Sequence, residues 1–241
     1  MDPNTKIAGT SLLLKPMLEL LEQKHPYYRR LTNLGKSVTS FDVTNVSTGF
    51  GHGSIVYKIN LHFTCHSGLP PETLPVALKV PGAEIYLQQE SKFRTILPDN
   101  LEERISQEIS NVHKTECLFY REISPTLNIK MPKIYATKEW IVGKEQGYIL
   151  MDDLSEEGIV LSKYDSVSPG QIKAVVKEIA HIHAEYIKAG KSDKWKNVYG
   201  KNQEVWAGMT DEFLQLIPAF IDLVSNKDKS NLKKIVLLKL M

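Results

Sequence analysis

Hydrophobic and polar positions alternate most regularly over residues 54–63. Ile55, Tyr57, Ile59, Leu61 and Phe63 interleave there with Val56, Lys58, Asn60 and His62. A period of two with one strongly apolar side predicts a strand with one buried face. Residues 41–46 form a shorter strand candidate. After residue 63, Gly68, Pro70, Pro71 and Pro75 predict a loop that ends the ladder. A compact strand, Val76 to Val80, follows and is closed by Pro81 and Gly82. Two more short strands are expected at Pro132–Tyr135 and Gly147–Met151.

A different period marks the helices. Leu13, Met17, Leu20 and Leu21 share one side of a helix over residues 11–23. Residues 101–123 read as a second helix, stopped by Ser124-Pro125. Its apolar stripe runs through Ile109, Val112, Phe119, Tyr120 and Ile123. Residues 170–189 form a strongly amphipathic helix, with Ile172, Val175, Val176, Ile179, His183, Tyr186 and Ile187 on one side. A last helix is expected over 210–224. Strands and one helix therefore come first and helices alone come after, which predicts an α+β lobe over 1–151 joined to an α-helical part over 152–241.

Composition narrows the classes of function. The 241 residues are 42% hydrophobic and 24% charged, an ordinary globular balance. With 30 basic and 28 acidic residues the net charge is +2, so no global field favours nucleic acid or a membrane surface. The basic run at Lys227, Lys229, Lys233 and Lys234 reads as a solvated face. Cys65 and Cys117 lie in no metal-binding spacing, and with no basic-then-apolar leader at the start the expectation is a cytoplasmic protein without disulfides.

Four segments carry candidate chemistry. Gly49, Gly51, Gly53 and Ser54 make a closely spaced loop whose backbone N–H groups can approach phosphate oxygens. It lacks the Gly-Lys-Ser or Gly-Lys-Thr end of a P-loop, and it leads into a strand rather than a helix, unlike a dinucleotide loop. A glycine-rich loop between strands is the kinase arrangement, although a plain hairpin uses the same residues. In Val76-Ala77-Leu78-Lys79, Ala77 and Lys79 share a face while Val76, Leu78 and Val80 point the other way. Glu116 lies within the apolar stripe of the helix that follows. A carboxylate there is costly unless paired, and Lys79 is the natural partner. Last, Gly147 to Leu154 reads as an apolar strand running into a connector, Met151-Asp152-Asp153-Leu154, whose backbone could hydrogen-bond a base. His181 and His183 are two apart on a helix and share no face, so they make no metal pair; His183 reads as a core residue.

These segments resemble one family. GFGHGS, LPVALKV, HKTECLFYRE, MPKIYATKE, GYILMDDLS and EIAHIHAEYI occur in the order found in the CHK-kinase-like proteins, choline-kinase-like and ecdysteroid-kinase-like relatives of the aminoglycoside phosphotransferases. The most specific block is His113, Glu116, Phe119 and Tyr120, and the resemblance covers roughly residues 35–225. It implies a protein-kinase-like two-lobe fold and ATP-dependent phosphoryl transfer to a small-molecule hydroxyl. Lys79 and Glu116 would position phosphate, Gly49 to Ser54 would form the phosphate loop, and Met151 to Leu154 the hinge beside Ala77. ATP and Mg are the implied cofactors. The family's His-Gly-Asp catalytic loop and its later magnesium-binding Asp are not matched in the 241 residues, so no catalytic or metal-binding residue is assigned. The expectation is a small-molecule kinase-like protein with an incomplete helical lobe that binds ATP and lacks the catalytic loop, which leaves turnover open. Two rivals stand beside it. One is a non-catalytic module that binds a partner protein through uncovered apolar surface; the other is a fragment without function of its own. A helix-rich oxidoreductase is a weaker outside reading, because no dinucleotide fingerprint is complete. The acceptor substrate is not legible.

Overall fold

The computed structural model describes residues 9–47, 53–64, 69–84, 101–158 and 165–190, together with residues 2, 4–7, 161 and 214. The chain divides into two compact units, Met1–Ala189 and Gly190–Met241. All that follows concerns the first. Gly49, Gly51, Cys65, the 210–224 helix and the C-terminal lysine run lie outside the described residues.

The fold is α+β. Two short helices, α1 (Leu14–Lys24) and α2 (Pro26–Asn33), precede three strands, β1 (Ser37–Asn45), β2 (Ser54–Thr64) and β3 (Glu72–Pro81). Then come α3 (Leu101–Leu118), β4 (Ile134–Lys138), β5 (Tyr148–Asp152) and α4 (Pro169–Lys188). The five strands form one sheet in the order β1-β2-β3-β5-β4, and each adjacent pair is antiparallel.

The alternation in β2 sets the back face of the sheet. Tyr57, Ile59, Leu61 and Phe63 are buried there with Leu74, Val76, Leu78 and Val80 of β3. Leu14, Met17 and Leu21 of α1, and Tyr28 and Leu31 of α2, close over them. On α1, Met17 and Leu21 are buried as expected and Leu20 packs partly against the core, but the first buried position is Leu14 and not Leu13. Leu13 precedes the helix in extended conformation and is exposed. The helix α2 was not among the expected elements. It is set by Pro26 in its first turn and by His25, whose Nδ1 accepts from the Tyr28 N–H at 3.2 Å.

Three further expectations are corrected. The strand β3 begins at Glu72, and Pro75 sits inside it, opposite Asn60. β5 pairs with β3 only from Val76 to Lys79, so at Pro75 the strand has β2 alone as a neighbour. A residue without an N–H is tolerated on such an edge. In α3, Val112 is 55% exposed, and the buried positions are instead Ile105, Ser106, Ser110, His113 and Cys117. Finally, α4 forms where expected, with Ser168 and Gln171 making a reciprocal capping box, yet none of its residues is buried. Val175 and Val176 are each 58% exposed, and His183 is exposed rather than in a core. Periodicity specifies a helix with an apolar side; whether a partner surface covers that side is a separate matter.

Candidate functional site

The front face of the sheet carries the candidate site. Antiparallel register aligns residues across strands in rows, and residues in one row share a face. One row holds Val56 of β2, Lys79 of β3 and Ile149 of β5. The next holds Lys58, Ala77 and Met151. Two residues of strand separate the rows, about 7 Å.

Lys79 meets Glu116 of α3 in a two-pronged contact. Its Nζ donates to Oε1 at 2.7 Å and to Oε2 at 2.8 Å. Both side chains are about one quarter exposed, so the pair is reachable from solvent. Burial and the negative charge of Glu116 push the nearby Tyr120 hydroxyl above its ordinary value. Directly after Glu116 and Cys117, the helix widens into a π-helical turn, Phe119–Ile123, and tightens to a 3-10 turn at Ser124–Thr126. Such a turn re-aims the side chains that follow it.

The position of Glu116 depends on how α3 is moored. Its buried side is largely polar and ties to the β4–β5 hairpin. Ser110 Oγ donates to the Trp140 carbonyl at 2.7 Å, and His113 Nε2 donates to the Lys138 carbonyl at 2.8 Å. Cys117 Sγ lies 3.4 Å from that same imidazole nitrogen. His113 therefore orients the helix through β4 rather than contacting Glu116 itself. Burial holds its pKa below the ordinary value, against the opposing effects of the Lys138 hydrogen bond and the Glu116 charge. Burial likewise pushes the Cys117 thiol up to about 11, which makes it an inert packing group. Gly147 is required here, since a Cβ on it would stand 2.7 Å from His113 Nε2, from Trp140 Cβ and from the Trp140 backbone nitrogen.

On the other row, Lys58 reaches across Ala77 to the connector after β5. Its Nζ lies 3.0 Å from Asp153 Oδ2, 2.7 Å from Ser155 Oγ and 3.7 Å from Glu156 Oε1. The Asp153 side chain is only 6% exposed. Burial alone would raise its pKa; hydrogen bonds from Ser155 and Lys58 outweigh that and hold it below the usual carboxylate range. Asp152 turns the opposite way, accepting from the Tyr135 hydroxyl and, at 3.2 Å, from the Lys133 N–H. The carboxylates of Asp152 and Asp153 are both consumed by the protein, so a ligand at this connector would meet backbone groups.

Of the expected site residues, Ala77, Lys79, Glu116, Met151 and Asp153 lie on or beside this face, Asp152 turns to the back face beside Tyr135, and Leu154 follows in the exposed connector. Ser54 opens β2 opposite Pro81, and Gly53 packs on Ile109 of α3. Lys58 was not singled out in the sequence. Its place on the polar side of the β2 alternation, opposite Ala77, was the available signal. Among the described residues no three histidine, cysteine or carboxylate groups are clustered as metal ligands.

An antiparallel sheet with a helix inserted between β3 and β4, moored so that a strand lysine meets a helix carboxylate, defines the class of fold and site. The chain belongs to the family DUF1679, described as "Uncharacterized oxidoreductase dhs-27", whose model matches residues 31–237. It is similar to a Caenorhabditis elegans protein of that name, with 23% identity over 175 residues, or 70% of this chain. The chain spans 20% of that relative's length. No solved structure matches. Among the described residues no helix is long and apolar enough to cross a membrane.

Proposed function

We propose that this chain is the nucleotide-binding part of a CHK-kinase-like protein and binds ATP on the front face of its sheet. On this reading the chain is part of a kinase-like two-lobe fold, with 1–151 as the N-terminal lobe and 152–241 as the connector and part of a helical lobe. The observation that carries the reading is the Lys79–Glu116 pair, at 2.7 and 2.8 Å, between β3 and the helix that follows it. A lysine so held presents an oriented ammonium for the α- and β-phosphates, and the pairing glutamate keeps it extended. The sheet order and the small Ala77 beside the connector support the same reading. Phosphoryl transfer to a small-molecule hydroxyl is the activity of the resemblance. No His-Gly-Asp string occurs in the 241 residues, so the proposal for this chain stops at binding.

The word oxidoreductase in the relative's name belongs to a protein of which this chain covers one fifth. Dinucleotide-binding folds present pyrophosphate to a helix after a parallel strand. Every strand pair described here is antiparallel, which favours the nucleotide triphosphate reading over a hydride-transfer one.

Titration calorimetry with ATP tests the proposal. Lys79→Ala and Glu116→Ala are each expected to weaken binding by about tenfold or more, as loss of a charge-assisted contact does. Unchanged affinity in both variants would remove Lys79 and Glu116 from the site.

A further inference from the structure

Two cation–carboxylate pairs flank Ala77 on the front face, and they are built alike. Each joins a strand lysine to a carboxylate on a different element. Lys79 reaches α3, and Lys58 reaches the connector. The second pair is the more enclosed, with side chains 20% and 6% exposed against 25% and 26%. Lys58 is also engaged by two partners of the connector. Its ammonium meets Asp153 and Ser155, while Ser155 Oγ donates to Asp153 Oδ2 at 2.6 Å and Ser155 N–H donates to Oδ1 at 3.3 Å. The ammonium is thereby tied to the connector by two of its three N–H groups.

The connector has a hold on each side. Asp152 is fastened to Tyr135 of β4 and to Lys133 just before it, and Asp153 to β2 by Lys58. Beyond these, the Glu157 and Gly158 N–H groups fold back onto the Leu154 carbonyl at 2.9 and 3.1 Å. Without Lys58 the enclosed Asp153 carboxylate would lose its cation, and the segment would have to move to rehydrate it.

We propose that Lys58 is a positioning residue: its pair with Asp153 spans the Ala77 row and fixes the connector backbone that discriminates the base of a bound nucleotide. The base-reading part rests on the nucleotide reading of the previous subsection; the holding of the connector does not.

Two readouts on the full chain separate them. The first is hydrogen exchange at the Ser155, Glu157 and Gly158 amides in wild type, Lys58→Met and Lys58→Arg. Lys58→Met keeps the stem and removes the charge. Exchange is expected to quicken about tenfold in Lys58→Met, with most of the protection restored in Lys58→Arg. Unchanged exchange in Lys58→Met, or equal loss in Lys58→Arg, would overturn the positioning role. The second is the ratio of ATP to CTP affinity by calorimetry. That ratio is expected to fall about fivefold in Lys58→Met, because a loosened connector no longer holds its donors and acceptors against one base. An unchanged ratio with quickened exchange would overturn the role in base discrimination. If wild type binds neither nucleotide, the nucleotide reading fails along with base discrimination, and the exchange data alone decide whether Lys58 positions the connector.

Discussion

The two faces of the sheet are made from alternate residues of the same strands and meet opposite demands. On the back face, Tyr57, Ile59, Leu61 and Phe63 of β2 face Leu14, Met17 and Leu21 of α1 in a closed apolar layer. On the front face, Val56, Lys58, Asn60 and His62 of that strand are only partly buried. The covering helix α3 is held there by hydrogen bonds from Ser110 and His113 rather than by a hydrophobic stripe. Hydrophobic burial is non-directional and tolerant. Hydrogen bonds to single carbonyls fix rotation and height, which is what the Lys79–Glu116 contact needs. The back face holds the fold together, and the front face aims side chains.

Substitutions should separate the two. The largest effect is expected at Phe63, fully buried on the back face. Phe63→Ala should cost about 3–5 kcal/mol of unfolding free energy in urea titration, with the Lys79–Glu116 geometry kept in the molecules that remain folded. Gly147→Ala should breach the division. Its new methyl would press on His113 and on the Trp140 backbone, costing about 2 kcal/mol and displacing α3, so stability and site geometry should fail together. Retained stability in that variant would show that the hairpin yields without moving the helix.

A pH dependence follows from the front face. His113 is held neutral in the folded protein with its pKa below 6.5, whereas the unfolded chain titrates near that value. Acid therefore favours unfolding. The stability contributed by neutral His113 is complete above about 6.5 and is lost as pH falls from there toward the lower folded-state value. Thermal melts between pH 7.5 and 5.5 should show a shallower loss in His113→Gln than in wild type. A residual slope should remain from His25 beneath the back face, whose pKa burial also lowers. The smallest effect is expected at the α4 cap, where Ser168→Ala should cost about 1 kcal/mol of helix stability and leave both faces unchanged; helicity by circular dichroism reads it.

Much of this division was legible in the sequence. The β2 alternation identified the back face, and the Val-Ala-Leu-Lys strand put Ala77 and Lys79 together on the other. Glu116 was recognised by the cost of a carboxylate among apolar neighbours, and it does meet Lys79. What periodicity could not give was the true mooring of α3. Ser106, Ser110 and His113 look like surface residues in a hydrophobicity pattern, and they are buried because the β4–β5 hairpin offers carbonyls to some of them. Pro75 was misread because a proline's effect depends on whether the strand has a neighbour on its N–H side, which local sequence does not record. Lys58 was passed over because a lysine on the polar side of a strand is ordinarily solvated; only the register, which sets it opposite Ala77, brings it to Asp153. The apolar side of α4 shows the limit in the other direction. Its pattern specifies an apolar side as α1's does, and none of its residues is buried.

The most direct test of the account is ATP titration against wild type and Lys79→Met followed by calorimetry, with unfolding curves recorded on the same samples. The account predicts saturable binding by wild type, at least about tenfold weaker binding by Lys79→Met, and a stability difference below about 1 kcal/mol, as for a partly exposed ion pair. Equal affinity in the two proteins, or no binding by wild type, would contradict it.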